Sequence, residues 1–182
     1  LATPIANPGD VETLDEITSR LKVAKRPLLW VGNGAKFAGT SVARLVDLGI
    51  PVITSWNGRG VLPEDHPMSL ASTATTMEVG EFLKTVDLMI VAGGRLRGHE
   101  TADMSMPLPE NMIQIDVDPA ANGRTYPSAV FHCAEAGAAL SAIADRLTKS
   151  GGLSLDPTLP ADVATAKAGA YENYPKAFGP YA

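Results

Sequence analysis

The chain contains a single cysteine, Cys133. An intrachain disulfide is therefore excluded, and the composition fits a reducing, cytoplasmic setting. No apolar run approaches the roughly 20 residues that a membrane-spanning helix requires. No cluster of lysines and arginines stands out against a net charge of −5, which argues against nucleic acid or an anionic membrane as partner. The histidines His66, His99 and His132 are scattered without ligand spacing, so no metal site is expected. No Ser/His/Asp or Cys/His arrangement is traceable, and no catalytic residue is assigned. Cys133 has no local activator and reads as a buried structural thiol. The opening residues do not read as a signal peptide.

What is present is ordinary globular material: 182 residues, 45% hydrophobic, 19% charged, enough for one domain with a tail. Leu1 to Gly9 reads as a linker. Asp10 is a candidate N-cap for a helix striped by Val11, Leu14, Ile17 and Leu21. Leu28 to Val31 is a short apolar strand ended by Gly32-Asn33-Gly34. Val42, Leu45 and Val46 mark a helix stopped by Gly49, and Ile50 to Thr54 a second strand. After a long polar stretch from Ser55 to Thr76, Val79, Phe82, Leu83 and Val86 mark a third helix. Strands follow at Leu88 to Ala92, Met112 to Val117 and Ala129 to Phe131. Leu140, Ile143, Ala144 and Leu147 stripe a further helix, and Ala161 to Tyr174 reads as a short one. Continuous apolar strands alternating with helices predict a doubly wound, mostly parallel α/β sheet, Rossmann-like, with helices on both faces. Ligands bind such sheets at the carboxyl ends of the strands.

Three motifs fall at those ends. Gly32-Asn33-Gly34 lacks the third glycine of a dinucleotide fingerprint, Phe37 standing there, and Ser55 and Trp56 replace the acidic residue after the second strand. A standard NAD site is disfavoured, and a plain strand-to-helix turn is an even alternative. Gly93-Gly94-Arg95-Leu96-Arg97 combines glycines, whose backbone N–H groups can approach a phosphate, with forked guanidinium donors. The alternative is a surface turn with solvated arginines. Asp116 or Asp118 in Ile115-Asp116-Val117-Asp118-Pro119 can accept ribose hydroxyls, or Asp118-Pro119 merely starts a turn.

Taken in order, these segments resemble the central domain of thiamine-diphosphate-dependent enzymes of the acetolactate synthase type. The resemblance rests on Gly58-Arg59-Gly60 with Pro63-Glu64-Asp65-His66-Pro67, on Val86-Asp87-Leu88 running into Gly93-Gly94-Arg95, and on Ile115 to Pro119. It implies residues 10–150 as that central domain. It also implies 151–182 as a linker and helix leading to a pyrophosphate-binding domain absent from this chain. A parent enzyme is implied that decarboxylates a 2-oxo acid and transfers the carbanion, using thiamine diphosphate and Mg²⁺ held by other domains. The family's Gly-Asp-Gly motif does not occur here, so the chain alone is expected to be inactive.

The resemblance gives Gly32, Gly34, Gly93, Arg95, Asp116 and Asp118 as cofactor-binding candidates for FAD or an ADP-containing nucleotide. Ser72 to Thr76 stands where a glycine-rich flavin segment is expected, Arg97 and Gly98 where an acidic pair is expected, and His132-Cys133-Ala134-Glu135 where Gly-Asp is expected after the last strand. These departures predict weak or no FAD retention. The implied partners are the pyrimidine- and pyrophosphate-binding domains of the same chain, in a homodimer or homotetramer. A benzoylformate-decarboxylase-like or lyase-like relative, and a stand-alone nucleotide-binding module, remain open alternatives.

Overall fold

The computed structural model describes residues 7–178, with side chains described through Asn173. The first six residues of the expected amino-terminal linker, and residues 179–182, lie outside the described residues. Five strands are present: β1 Pro27–Val31, β2 Val52–Thr54, β3 Leu88–Ala92, β4 Met112–Asp116 and β5 Val130–Cys133. They alternate with helices α1 Val11–Val23, α2 Gly39–Asp47, α3 Met77–Leu83, α4 Ala136–Lys149 and α5 Leu159–Phe178. All pairings are parallel, in the order β2-β1-β3-β4-β5. The expected doubly wound α/β architecture is the observed one.

The strand period of two divides the core into two layers. Leu29 and Val31, Leu88 and Ile90, and Ile113 and Ile115 face α1, α2 and α4. Leu28 and Trp30, Met89 and Val91 face the opposite way, toward α3 and α5. Every residue of β1 to β4 is buried, which is why these strands read as unbroken apolar runs rather than alternating ones.

The helices start where side chains can satisfy their free N–H groups. Asp10 accepts from the N–H groups of Glu12 and Thr13, Thr76 caps α3 and Glu135 caps α4. Gly49, at φ +92°, supplies the left-handed residue that ends α2.

Several boundaries differ from the sequence reading. Val11 is 61% exposed, so the buried stripe of α1 is Leu14, Ile17 and Leu21. β4 stops at Asp116 because its carboxylate accepts the N–H of Asp118 at 2.9 Å, turning the chain out of the sheet and leaving Val117 exposed. β5 is shifted to Val130–Cys133. Cys133 is exposed rather than buried: in this edge strand Val130 and His132 take the inward positions. The polar stretch after β2 is tied back to the sheet. Ser69 bridges to Val52, and the Leu70 N–H donates to the Val52 carbonyl at 2.8 Å.

The terminal helix is longer than Ala161 to Tyr174. Its residues Leu159, Val163, Ala166 and Ala170, spaced at three to four, are buried in the layer containing α3. A polar clamp fastens its start. The Arg26 guanidinium bonds Asp156 at 2.9 Å and Asp162 at 2.8 Å. The Thr158 N–H, then Arg26, hold the Asp156 carboxyl below the usual carboxylate range. Arg26 first, then Thr158, does the same for Asp162.

Ile90, fully buried in the central strand, should cost about 2–5 kcal/mol on replacement by Ala, measured by urea unfolding. The clamp is pH-dependent in a defined direction. A carboxylate with a depressed folded pKa stabilises above its unfolded value, here 3.8, and that stabilisation is lost as pH falls through the folded value. The melting-temperature difference between Arg26→Gln and the parent chain should therefore be larger at pH 7 than at pH 3.

Candidate functional site

Strand order fixes where a ligand can enter. β1 connects to β2 on one side of it, while β3, its neighbour on the other side, connects onward to β4. The connections leave the carboxyl ends of β1 and β3 in opposite directions, and a crevice opens between them. It has a volume of about 520 Å³ and is lined by Gly32, Gly34, Gly93, Arg95 and Asp116, together with Arg97. Five of the six candidates read from the sequence thus meet at one place. Asp118 does not line the crevice. Its carboxylate accepts the Ala120 N–H at 2.9 Å and lies 3.6 Å from the Arg124 guanidinium, so it shapes the turn after β4.

The glycines are required by the contact of two turns. A Cβ on Gly32 would lie 2.3 Å from the Gly93 carbonyl oxygen, and one on Gly34 2.8 Å from the Gly93 Cα. Gly93 itself sits at φ +60°. The N–H groups of Gly32 and Gly34 donate to the carbonyls of Ala92 and Gly93, both at 2.9 Å, and that of Gly93 to Ile115 at 2.8 Å. These three N–H groups are therefore engaged within the protein, which corrects the expectation that they approach a phosphate. Among the described residues the N–H of buried Gly94 has no such acceptor.

The charges of the crevice are arranged unevenly. Each of its three carboxylates accepts from backbone. Asp116 takes the Asp118 N–H, and Glu100 takes the Arg97 N–H at 3.0 Å. Glu135 takes the N–H groups of Gly137 and Ala138 at 2.9 and 2.6 Å. Glu135 thereby occupies donors at the α4 N-terminus that could otherwise face an anion. The chain has eight arginines. Arg20, Arg26, Arg44, Arg59, Arg124 and Arg146 form ion pairs. Arg95 and Arg97 form none among the described residues, and both line the crevice. Leu96 between them is 3% exposed and takes φ +47°. It anchors the turn in the core while both arginines remain exposed.

Sequence reasoning left Arg97, Ser55, Asn57, His99, Glu100 and Glu135 out of the site, although all line it. For Arg97 a signal existed in the Arg-Leu-Arg alternation, with one apolar residue to bury between two cations. Beside the crevice, beyond His99 and Glu100, a recess of about 10 Å³ is bounded by Thr54, Ser72 and Thr75.

Residues 14–143 match the family model described as thiamine pyrophosphate enzyme, central domain. The chain belongs to this family. Over 137 residues the domain is 33% identical to the protein named "Probable 2-ketoarginine decarboxylase" from Pseudomonas aeruginosa, covering 75% of this chain and 24% of that protein. It is 29% identical to acetolactate synthase 1 of Zea mays over 140 residues, 75% of this chain and 22% of the relative. Among solved structures, one from Mycobacterium smegmatis described as "a putative thiamin diphosphate-dependent enzyme" superposes with a TM-score of 0.61 at 26% identity. The match covers 80% of this chain and 29% of that one. The chain thus spans about a quarter of the length of the curated relatives it matches. Among the described residues of the central domain, no group of three or more His, Cys, Asp or Glu side chains is placed to hold a metal ion. No described helix is long and apolar enough to cross a membrane.

The glycine contacts make a paired prediction. Gly32→Ala should destabilise the domain by about 1–3 kcal/mol or more, because a backbone carbonyl blocks the new methyl. Gly80→Ala, within α3 with nothing near its Cβ position, should stabilise by about 0.5–1 kcal/mol. Melting temperatures moving in opposite directions would confirm the pair; a neutral Gly32→Ala would show that the turns do not pack as described.

Proposed function

We propose that this domain is the nucleotide-carrying, non-catalytic middle part of a thiamine-diphosphate-dependent enzyme of the acetolactate synthase type. The parent decarboxylates a 2-oxo acid and passes the resulting carbanion to an acceptor. Thiamine diphosphate supplies the ylid that stabilises that carbanion. It and Mg²⁺ belong to the neighbouring pyrimidine- and pyrophosphate-binding domains of the same polypeptide. The residues described here do not fit that cofactor, since neither a metal-holding acidic cluster nor a Gly-Asp-Gly sequence is among them. The parent is a cytoplasmic homodimer or homotetramer, and residues 151–182 lead from this domain toward the pyrophosphate-binding one.

The observation that carries the nucleotide reading is the crevice at the β1/β3 switch point, with Arg95 on its wall in no ion pair among the described residues. Arg95 supplies a charge-assisted contact to a diphosphate, typically worth about 1.5–3 kcal/mol. Asp116, buried at the end of β4, has a second carboxylate oxygen for a ribose hydroxyl. An ADP-containing nucleotide fits these features. FAD is disfavoured by Ser72 to Thr76, where the β-branched Thr73, Thr75 and Thr76 restrict close backbone approach.

Calorimetry with ADP should show binding to this chain and a roughly tenfold or greater loss in Arg95→Ala. Equal affinity in the two would remove Arg95 from the site, and no binding in either would refute the nucleotide reading. The chain alone should not turn over pyruvate in the presence of thiamine diphosphate and Mg²⁺; such turnover would contradict the non-catalytic role.

A further inference from the structure

We propose that Asn122 is a site of spontaneous covalent modification, at which the side-chain amide closes on the Gly123 nitrogen, loses ammonia and ends as aspartate or isoaspartate. The reaction requires no bound nucleotide. The chain contains three Asn-Gly sequences: Asn33-Gly34, Asn57-Gly58 and Asn122-Gly123. Glycine, having no Cβ, obstructs such a ring closure least. Sequence alone therefore ranks the three alike, and the fold separates them.

The first difference is at the attacking nitrogen. The Gly34 N–H donates to the Gly93 carbonyl at 2.9 Å. The N–H of buried Gly58 donates to the Ser55 carbonyl at 3.0 Å and to the Ser55 hydroxyl at 3.1 Å. The Gly123 N–H has no acceptor among the described residues.

The second is freedom to turn. A Cβ on Gly34 would lie 2.8 Å from the Gly93 Cα, and one on Gly58 2.3 Å from the Val31 carbonyl oxygen, whereas nothing lies within 4 Å of that position on Gly123. Asn122, at φ −56° and ψ 119°, and Gly123, at φ +66°, form a type II turn. One hydrogen bond closes it, from the Arg124 N–H to the Ala121 carbonyl at 3.2 Å, and both turn residues are exposed. Rotating Asn122 to bring its Cγ onto the Gly123 nitrogen breaks that single bond. At Asn33 and Asn57 the same rotation must separate packed backbone. The Asn122 amide is held by one long bond, the Ser128 hydroxyl donating to Oδ1 at 3.3 Å. Its Nδ2, the leaving group, has no partner among the described residues.

In the reaction the Gly123 nitrogen gives up its proton and bonds to the Asn122 Cγ. The Cγ–Nδ2 bond breaks, and Nδ2 departs as ammonia with that proton. Water then opens the five-membered imide, at Cγ to give aspartate or at the backbone carbonyl to give isoaspartate. Nothing is oxidised or reduced. A negative charge is added two residues from Arg124, whose guanidinium lies 3.6 Å from Asp118. Isoaspartate also lengthens the main chain by one carbon within the turn.

Peptide mapping by mass spectrometry during prolonged incubation tests this, with the folded chain set against the chain unfolded in guanidinium chloride. Each site is compared with its own rate in the unfolded chain, which removes any sequence preference. Folding should slow Asn33 and Asn57 by about tenfold or more, since each must first open locally, and Asn122 by no more than about threefold. The dominant modified peptide of the folded chain should be a pair of isomers, each one dalton heavier, and Asn122→Ser should abolish it. Folding that slows Asn122 as much as the other two overturns the assignment. Modification led by Asn33 or Asn57 in the folded chain, or no reaction at Asn122 in either state, overturns it as well.

Discussion

The site depends on one contact, backbone against backbone, between the turn after β1 and the turn after β3. Gly32 and Gly34 lie so close to Gly93 and Gly94 that no side chain fits between them. Two hydrogen bonds from the first turn to the Ala92 and Gly93 carbonyls fix the separation. Because both turns leave the sheet at its switch point, joining them there gives the crevice a rigid floor. The glycines would be needed even if nothing ever bound, since they are what lets two strand ends approach. Whatever recognition the crevice performs must come from groups standing on that floor.

Those groups are sorted by a simple rule of partnership. The acidic side chains at the crevice cap turns and a helix, and the cations at the same place are left over. A helix N-terminus would be a ready anion site, but Glu135 accepts from two of the first N–H groups of α4. The guanidinium groups of Arg95 and Arg97 remain as forked donors at the crevice. The carboxylates are held by short local bonds within two or three residues of chain, so local sequence, rather than tertiary packing, sets where they point.

Much of the architecture was legible because a doubly wound sheet writes itself as apolar runs punctuated by glycine. β3 was read at its observed bounds, and Asp10 was read as the cap it is. The errors lie where tertiary geometry overrides pattern. Val117 continues an apolar run, yet the Asp116 side chain turns the chain before it. Cys133, without a local activator, reads as a buried structural thiol, but the inward alternation of this edge strand is set by Val130 and His132. The buried stripe of α5 is faint in sequence because Ala166 and Ala170, half of it, give a weak periodic signal and Leu159 precedes the expected start. At the crevice, clustering Gly32, Gly34, Gly93, Arg95 and Asp116 needed only the rule that strand carboxyl ends converge. That Asp118 faces away, and that the glycine N–H groups are already bonded, depends on distances no sequence pattern encodes.

The β1/β3 crevice is the proposed nucleotide seat of this domain. Backbone amide shifts followed by NMR during titration with ADP test it most directly. The largest shifts should cluster at Asn33–Gly34, Gly94–Arg97 and Val117, with Glu135 and Ala136 moving beside them. Shifts centred instead on the apolar groove of Met106, Leu108 and Tyr126, or no shifts at saturating ADP, would contradict it.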